Sequence, residues 1–119
     1  MSVPASTDLQ SFKADFFKAL AHPIRIRILE MLRARERSVQ ELQALLELDQ
    51  STVSQQLAVL RAKNVVTARK EGTTVRYAMR DAQVGDLLDV ARRIFNNQLT
   101  GTQTMLRELR QEARRPTRR

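Results

Sequence analysis

The chain has no cysteine, no tryptophan and a single histidine. Without thiols there is no disulfide framework, no thiolate metal site and no thiol redox switch. One His cannot supply the three or four ligands of a zinc site, and it has no Ser or acid in a triad arrangement. Three Gly and three Pro in 119 residues are too few for the turns of an all-β fold. They also cannot build a Gly-rich phosphate loop at the required spacing. Aromatics make up 4% of the chain, so Leu, Val, Ile and Ala must fill the core. No apolar run approaches the ~20 residues of a membrane span. The opening MSVPASTDLQ lacks the basic-then-apolar order of a signal peptide. These absences leave no enzyme reading and no expected cofactor, and they point to a cytoplasmic address.

What is abundant is positive charge, +8 net. That balance favours a polyanionic partner, either nucleic acid or an anionic membrane surface. The length suits one domain. A domain this small buries a limited fraction of its surface, and dimerisation is a common remedy.

The most informative stretch runs from Ser38 to Asn64, SVQELQALLELDQSTVSQQLAVLRAKN. It reads as two short helices and a tight turn. Val39, Leu42, Leu45 and Leu46 fall at helical spacing in the first. Ser38 followed by Glu41 three residues later is a capping box. Asp49 stands where an N-cap belongs, ahead of a second helix with Val53, Leu57 and Leu60 on one stripe. The other face carries Gln50, Ser51, Thr52, Ser54, Gln55 and Gln56. A helix-turn-helix reader needs short uncharged donors and acceptors there, because that end of its second helix enters the major groove. The plainer alternative is a polar face meeting solvent. Solvated faces favour Lys and Glu, and neither occurs in this helix.

Taken in order, residues 1–7 read as a frayed tail. From Asp8 the pattern is helical, with Leu9, Phe12, Phe16 and Leu20 at i, i+3, i+7 and i+11. His22-Pro23 then interrupts, and Pro suits the first position of a new helix over roughly 23–34. His22 reads as a capping or packing residue. After the helix-turn-helix, 65–70 and 75–79 flank Glu71-Gly72-Thr73-Thr74, a β-hairpin with Arg69, Lys70 and Arg76 around its tip. Such a hairpin is either a wing reaching the DNA backbone or a plain hairpin with basic edge protection.

The last third is helical to about Glu112. Val84, Leu88, Ala91, Phe95, Gln98, Thr102, Met105 and Leu109 alternate in 4,3 spacing through Gly101. One long helix is the simpler reading; a break at Gly101 stays open because Gly costs about 1 kcal/mol in a helix interior. So long a stripe calls for a partner helix, most simply in a homodimer. Residues 113–119 form a basic tail, either a solubilising segment or a non-specific nucleic-acid contact.

The segments LAHPIRIRILEML, LDQSTVSQQLAVLRAKNVV and EGTTVRYAM, in this order, resemble the ArsR/SmtB family of bacterial winged helix-turn-helix repressors. The resemblance covers roughly Phe12 to Leu99. It implies a mainly α fold with a small β-hairpin, one domain over 8–112, dimerising through its N- and C-terminal helices. It places Leu9, Phe12, Phe16, Val84, Leu88, Ala91 and Phe95 at the dimer interface. It puts Gln50, Ser51, Thr52, Ser54, Gln55 and Gln56 at base- and phosphate-contacting positions, with Gln55-Gln56 where the family usually has a His pair. The family's metal ligands do not carry over. Val39-Gln40-Glu41-Leu42-Gln43 stands where a Cys-x-Cys type of site would be, and the last helix offers Asp86 and Asp89 without His. A metal effector is therefore not supported.

The expectation is a DNA-binding regulator, most simply a repressor occupying a palindromic operator as a homodimer and released by an effector. Arg61, Lys63, Arg69, Lys70 and Arg76 would meet phosphates. In the rival reading a regulatory protein partner binds the C-terminal stripe and controls the protein, which could then be an activator.

Overall fold

The computed structural model describes residues 5–114, with side-chain surroundings for 8–112. The chain runs as α1 (Ala5–Leu20), α2 (Pro23–Ala34), β1 (Arg37–Ser38), α3 (Val39–Leu46), α4 (Gln50–Ala62), β2 (Val66–Glu71), β3 (Thr74–Met79) and α5 (Gln83–Arg114). The helix α1 therefore begins at Ala5, three residues inside the stretch read as a tail. Asp8 sits in its first turn, where a carboxylate favours the helix dipole. The expectations for residues 1–4 and 115–119 lie outside the described residues.

Several helix boundaries have a local cause. His22 is the N-cap of α2, and its Nδ1 accepts a hydrogen bond from the Ile24 N–H at 3.1 Å, with Pro23 at the first helical position. At α3 the capping box is closed in both directions. Ser38 Oγ accepts from the Glu41 N–H at 3.2 Å, and the Ser38 N–H donates to Glu41 Oε1 at 3.0 Å. Glu47 ends α3 in the left-handed conformation, φ 55°. Asp49 occupies the N-cap of α4 by backbone conformation alone, without a side-chain bond to the helix.

The C-terminal end of α4 is a Schellman motif. Asn64 adopts φ 62°, the Val65 N–H donates to the Leu60 carbonyl at 2.9 Å and the Asn64 N–H to that of Arg61 at 3.0 Å. Leu60 and Val65, which this motif brings together, are both buried.

The core lies where α2, α3 and α4 meet. Ile28, Leu29, Leu42, Val53, Leu57 and Leu60 are all fully buried. The period of 3.6 explains the selection: 53, 57 and 60 fall on one stripe of α4, and 42 and 46 on one stripe of α3. Leu45 points off that stripe and is exposed. Val65 and Val66 continue the core into the sheet.

The sheet has three antiparallel strands in the order β1-β3-β2. β1 pairs Arg37 with Tyr77 and Ser38 with Arg76. Across the hairpin Arg69 stands opposite Arg76, Lys70 opposite Val75 and Glu71 opposite Thr74. Only Gly72 and Thr73 remain as the turn, and Gly72 has φ 64°, a conformation that Gly adopts without a Cβ penalty.

Among the described residues, those up to Gly85 form one compact unit and those from Asp86 a second. The helix α5, which starts at Gln83 and makes up the described part of the second unit, runs without interruption through Gly101 for 32 residues, about 48 Å at 1.5 Å per residue. A Cβ at Gly101 would meet nothing within 4 Å. No helix among the described residues is long and apolar enough to cross a membrane.

Candidate nucleic-acid interface

The polar row of α4 is displayed as the helical period requires. Burying Val53, Leu57 and Leu60 turns the opposite side outward, leaving Gln50, Ser51 and Gln55 exposed and Thr52, Ser54 and Gln56 half-buried. Among the described residues, none of these six side chains is hydrogen-bonded within the chain. Their donors and acceptors are uncommitted, and six of them lie within two turns.

Toward its C-terminal end, α4 packs against β2 and comes beside Tyr77 of the central strand. A shallow depression of about 430 Å³ opens there, lined by Ser54, Ala58, Arg61, Ala62 and Tyr77. Strand alternation puts Lys70, Val75 and Tyr77 on one face of the hairpin and Arg69, Glu71 and Arg76 on the other. Arg61, Lys63 and Lys70 are exposed and have no carboxylate partner among the described residues.

Arg69 and Arg76 differ. Like charges directly opposite on a ladder repel, and here carboxylates offset that repulsion. Glu71 takes one arginine on each oxygen, Arg76 Nε at 3.0 Å and Arg69 Nη1 at 3.3 Å. Arg69 also pairs with Glu36, just before β1. Arg76 Nη1 reaches Glu41 Oε1 at 3.0 Å, and Arg35 holds the other oxygen of Glu41 at 2.8 Å.

The consequences for charge are consistent. The Ser38 N–H, then the Arg35 guanidinium, hold the Glu41 carboxyl well below its usual range, at about 2. Bonds from Arg76 and then Arg69 lower Glu71. Glu36 raises Arg69 and Glu71 raises Arg76, so both guanidinium charges are firmly kept.

The sequence reading placed Arg69, Lys70 and Arg76 together around the tip. In the register only Lys70 keeps a free charge next to the turn, while Arg69 and Arg76 lie one step further back, paired with acids. Glu36, Glu71 and the second role of Glu41 were not anticipated. A two-residue turn at Gly72-Thr73 would have fixed the 69–76 pairing from sequence, because loop length sets the register of a hairpin and 71 opposite 74 counts back to 69 opposite 76.

The residues expected at a dimer interface also separate. Leu9, Phe12 and Phe95 are exposed apolar side chains, 72% exposed in the case of Phe12, and Phe16, Leu88 and Ala91 are half-buried. Val84, at 7% exposure, belongs to the chain's own core.

Comparison with known proteins fits this arrangement. Residues 22–68, from the α2 cap to the middle of β2, match the family described as bacterial regulatory protein, arsR family. An uncharacterized HTH-type transcriptional regulator of Mycobacterium tuberculosis, Rv0081, is 45% identical over 106 residues, spanning 88% of this chain and 93% of that one. The chain belongs to the arsR family.

Within the arsR family, the crystal structure of Rv0081 superposes with a TM-score of 0.73 over 85% of this chain and 98% of the other. The transcriptional activator HlyU of Vibrio cholerae is 42% identical over 78 residues, 66% of this chain and 72% of HlyU. A solution structure of Mb0332 from Mycobacterium bovis, described as a homodimeric winged helix-turn-helix DNA-binding domain, is 28% identical. It superposes with a TM-score of 0.74 over 82% of this chain and 91% of that fragment. The winged helix-turn-helix of this arsR-family chain is thus α3, α4 and the β2–β3 hairpin.

Proposed function

We propose that the protein is a sequence-specific regulator that binds double-stranded DNA as a homodimer and represses by occupying a palindromic operator. The observation that carries this reading is the uncommitted polar row Gln50–Gln56 on the outward face of α4. Gln pairs bidentately with adenine in the major groove, and Ser and Thr meet either base edges or phosphates. Arg61, Lys63 and Lys70 supply the phosphate contacts that give affinity.

Two such helices in a dimer would meet half-sites about one helical turn apart, ~34–36 Å. The dimer is supported by exposed Leu9, Phe12 and Phe95 on α1 and α5 and by the homodimeric Mb0332 domain. Action in the cytoplasm, where the DNA of a bacterial promoter lies, follows from the role. Activation is the second reading, favoured by HlyU, which is named an activator.

Fluorescence anisotropy on the gene's upstream DNA against a scrambled duplex, at about 0.15 M salt, tests the reading. Specific binding at ~10⁻⁸ M or tighter is expected on the native sequence. Equal binding in the 10⁻⁴–10⁻⁶ M range on both duplexes, the ordinary non-specific level, would overturn it. Light scattering should give twice the 13.7 kDa chain mass. Transcription from the same promoter in vitro distinguishes repression from activation, and titration with metals and small molecules reads release by an effector.

A further inference from the structure

The wing's two central arginines stand out because both are already paired with carboxylates. Arg69 and Arg76 are opposite one another in the ladder, on the face of the hairpin away from Lys70 and Tyr77. Three carboxylates from three parts of the chain converge on them: Glu36 ahead of β1, Glu41 in the first turn of α3, and Glu71 on β2 itself. The Arg76 side chain is only 27% exposed. Glu41 is at once the N3 residue of the α3 capping box and a partner of Arg76. The bond therefore joins the first helix of the helix-turn-helix to the central strand of the wing.

We infer that Arg69 and Arg76 are positioning residues, Arg76 strutting the wing against Glu41 of α3 and Arg69 against Glu36 ahead of β1, and that the hairpin's direct phosphate contact is made by Lys70 at the tip. Each arginine already turns two of its guanidinium nitrogens to carboxylates that offset its charge, so a phosphate would have to compete with those acids for it, whereas Lys70 has no carboxylate partner among the described residues. The strut fixes where the tip and Lys70 arrive when α4 enters the groove. This inference rests on the DNA-binding reading for its consequence and on the free protein for its geometry, and the two are tested separately.

In the free protein, hydrogen exchange of the β1–β3 amides is measured for Arg76→Gln, Glu41→Gln and the double variant. Gln at 41 can still complete a capping box, so α3 is retained. Each single variant is expected to speed exchange where Arg37 and Ser38 pair with Tyr77 and Arg76, and the double variant to add little beyond either. Unchanged exchange in both singles, or full additivity, would overturn the strut whether or not the protein binds DNA.

On DNA, the strut predicts that Arg76→Gln and Glu71→Gln both weaken specific binding several-fold while the dependence of log K on log salt keeps its slope. A phosphate-binding Arg76 predicts a slope reduced by about 0.9 for Arg76→Gln. It also predicts stronger binding for Glu71→Gln, which would free the guanidinium. Either of those results would overturn the inference. Failure of the unmodified protein to bind any duplex would instead strike the DNA-binding reading and leave the exchange result standing.

Discussion

Arg76 Nη1 lies 3.0 Å from Glu41 Oε1, the same oxygen that accepts the Ser38 N–H, so one carboxylate both caps α3 and ties down the wing. The carboxyl titrates at about 2 instead of the ordinary 4.5. A carboxylate with a depressed folded-state value contributes stability that is fully present above the unfolded value and is lost as pH falls through the folded one. Glu71, also lowered, acts in the same direction. Stability should hold down to about pH 4.5 and fall progressively toward about pH 2. Thermal unfolding across that interval checks it, and Glu41→Gln should flatten the curve there. An equally steep curve in the variant would assign the acid loss to other groups.

The readout of sequence should be separable from the attraction to phosphate. Gln55 is exposed, uncharged and without a hydrogen bond among the described residues. Gln55→Ala is expected to remove about 1–3 kcal/mol of discrimination at one base pair, leaving non-specific affinity and salt slope as they were. Competition binding against single-base operator variants measures this. Preserved discrimination at every position would remove Gln55 from the reading face.

Arg61 and Lys70 carry the opposite expectation. Both are exposed and without carboxylate partners among the described residues. Neutralising either to Gln should weaken binding to all duplexes alike and lower the salt slope by about 0.9 per contact. The double variant should show the sum. A loss confined to one sequence would mean base contact instead.

Much of this organisation is visible in the sequence because it rests on local rules. Ser38 and Glu41 announce the start of α3, Pro23 that of α2, and the Val53–Leu57–Leu60 stripe orients α4. Those features rest on spacings of four residues or fewer. What stayed hidden depends on tertiary pairing. β1 is two residues long and exists only because β3 lies beside it. The Glu36–Arg69 and Glu41–Arg76 bonds span 33 and 35 residues, beyond any periodicity. Gly101 also left the course of α5 open. Gly lowers helix propensity without forbidding a helix, and α5 passes through it.

The turn between α3 and α4 was legible only as a length, because its left-handed position is filled by Glu47 at φ 55° where Gly is usual. An L-residue in that conformation costs about 1–2 kcal/mol, part of which is recovered by the stiffer unfolded chain. Glu47→Gly should therefore stabilise the protein by about 1 kcal/mol, or about 4 °C in Tm for a domain of this size. Glu47→Gln removes the same charge while keeping the Cβ, and it should give no such gain. Asn64, at φ 62°, offers a second comparison. Asn tolerates the left-handed region through local hydrogen bonding, so Asn64→Gly should gain less than Glu47→Gly. Equal gains at 47 from Gly and Gln would trace the effect to charge and not to backbone strain.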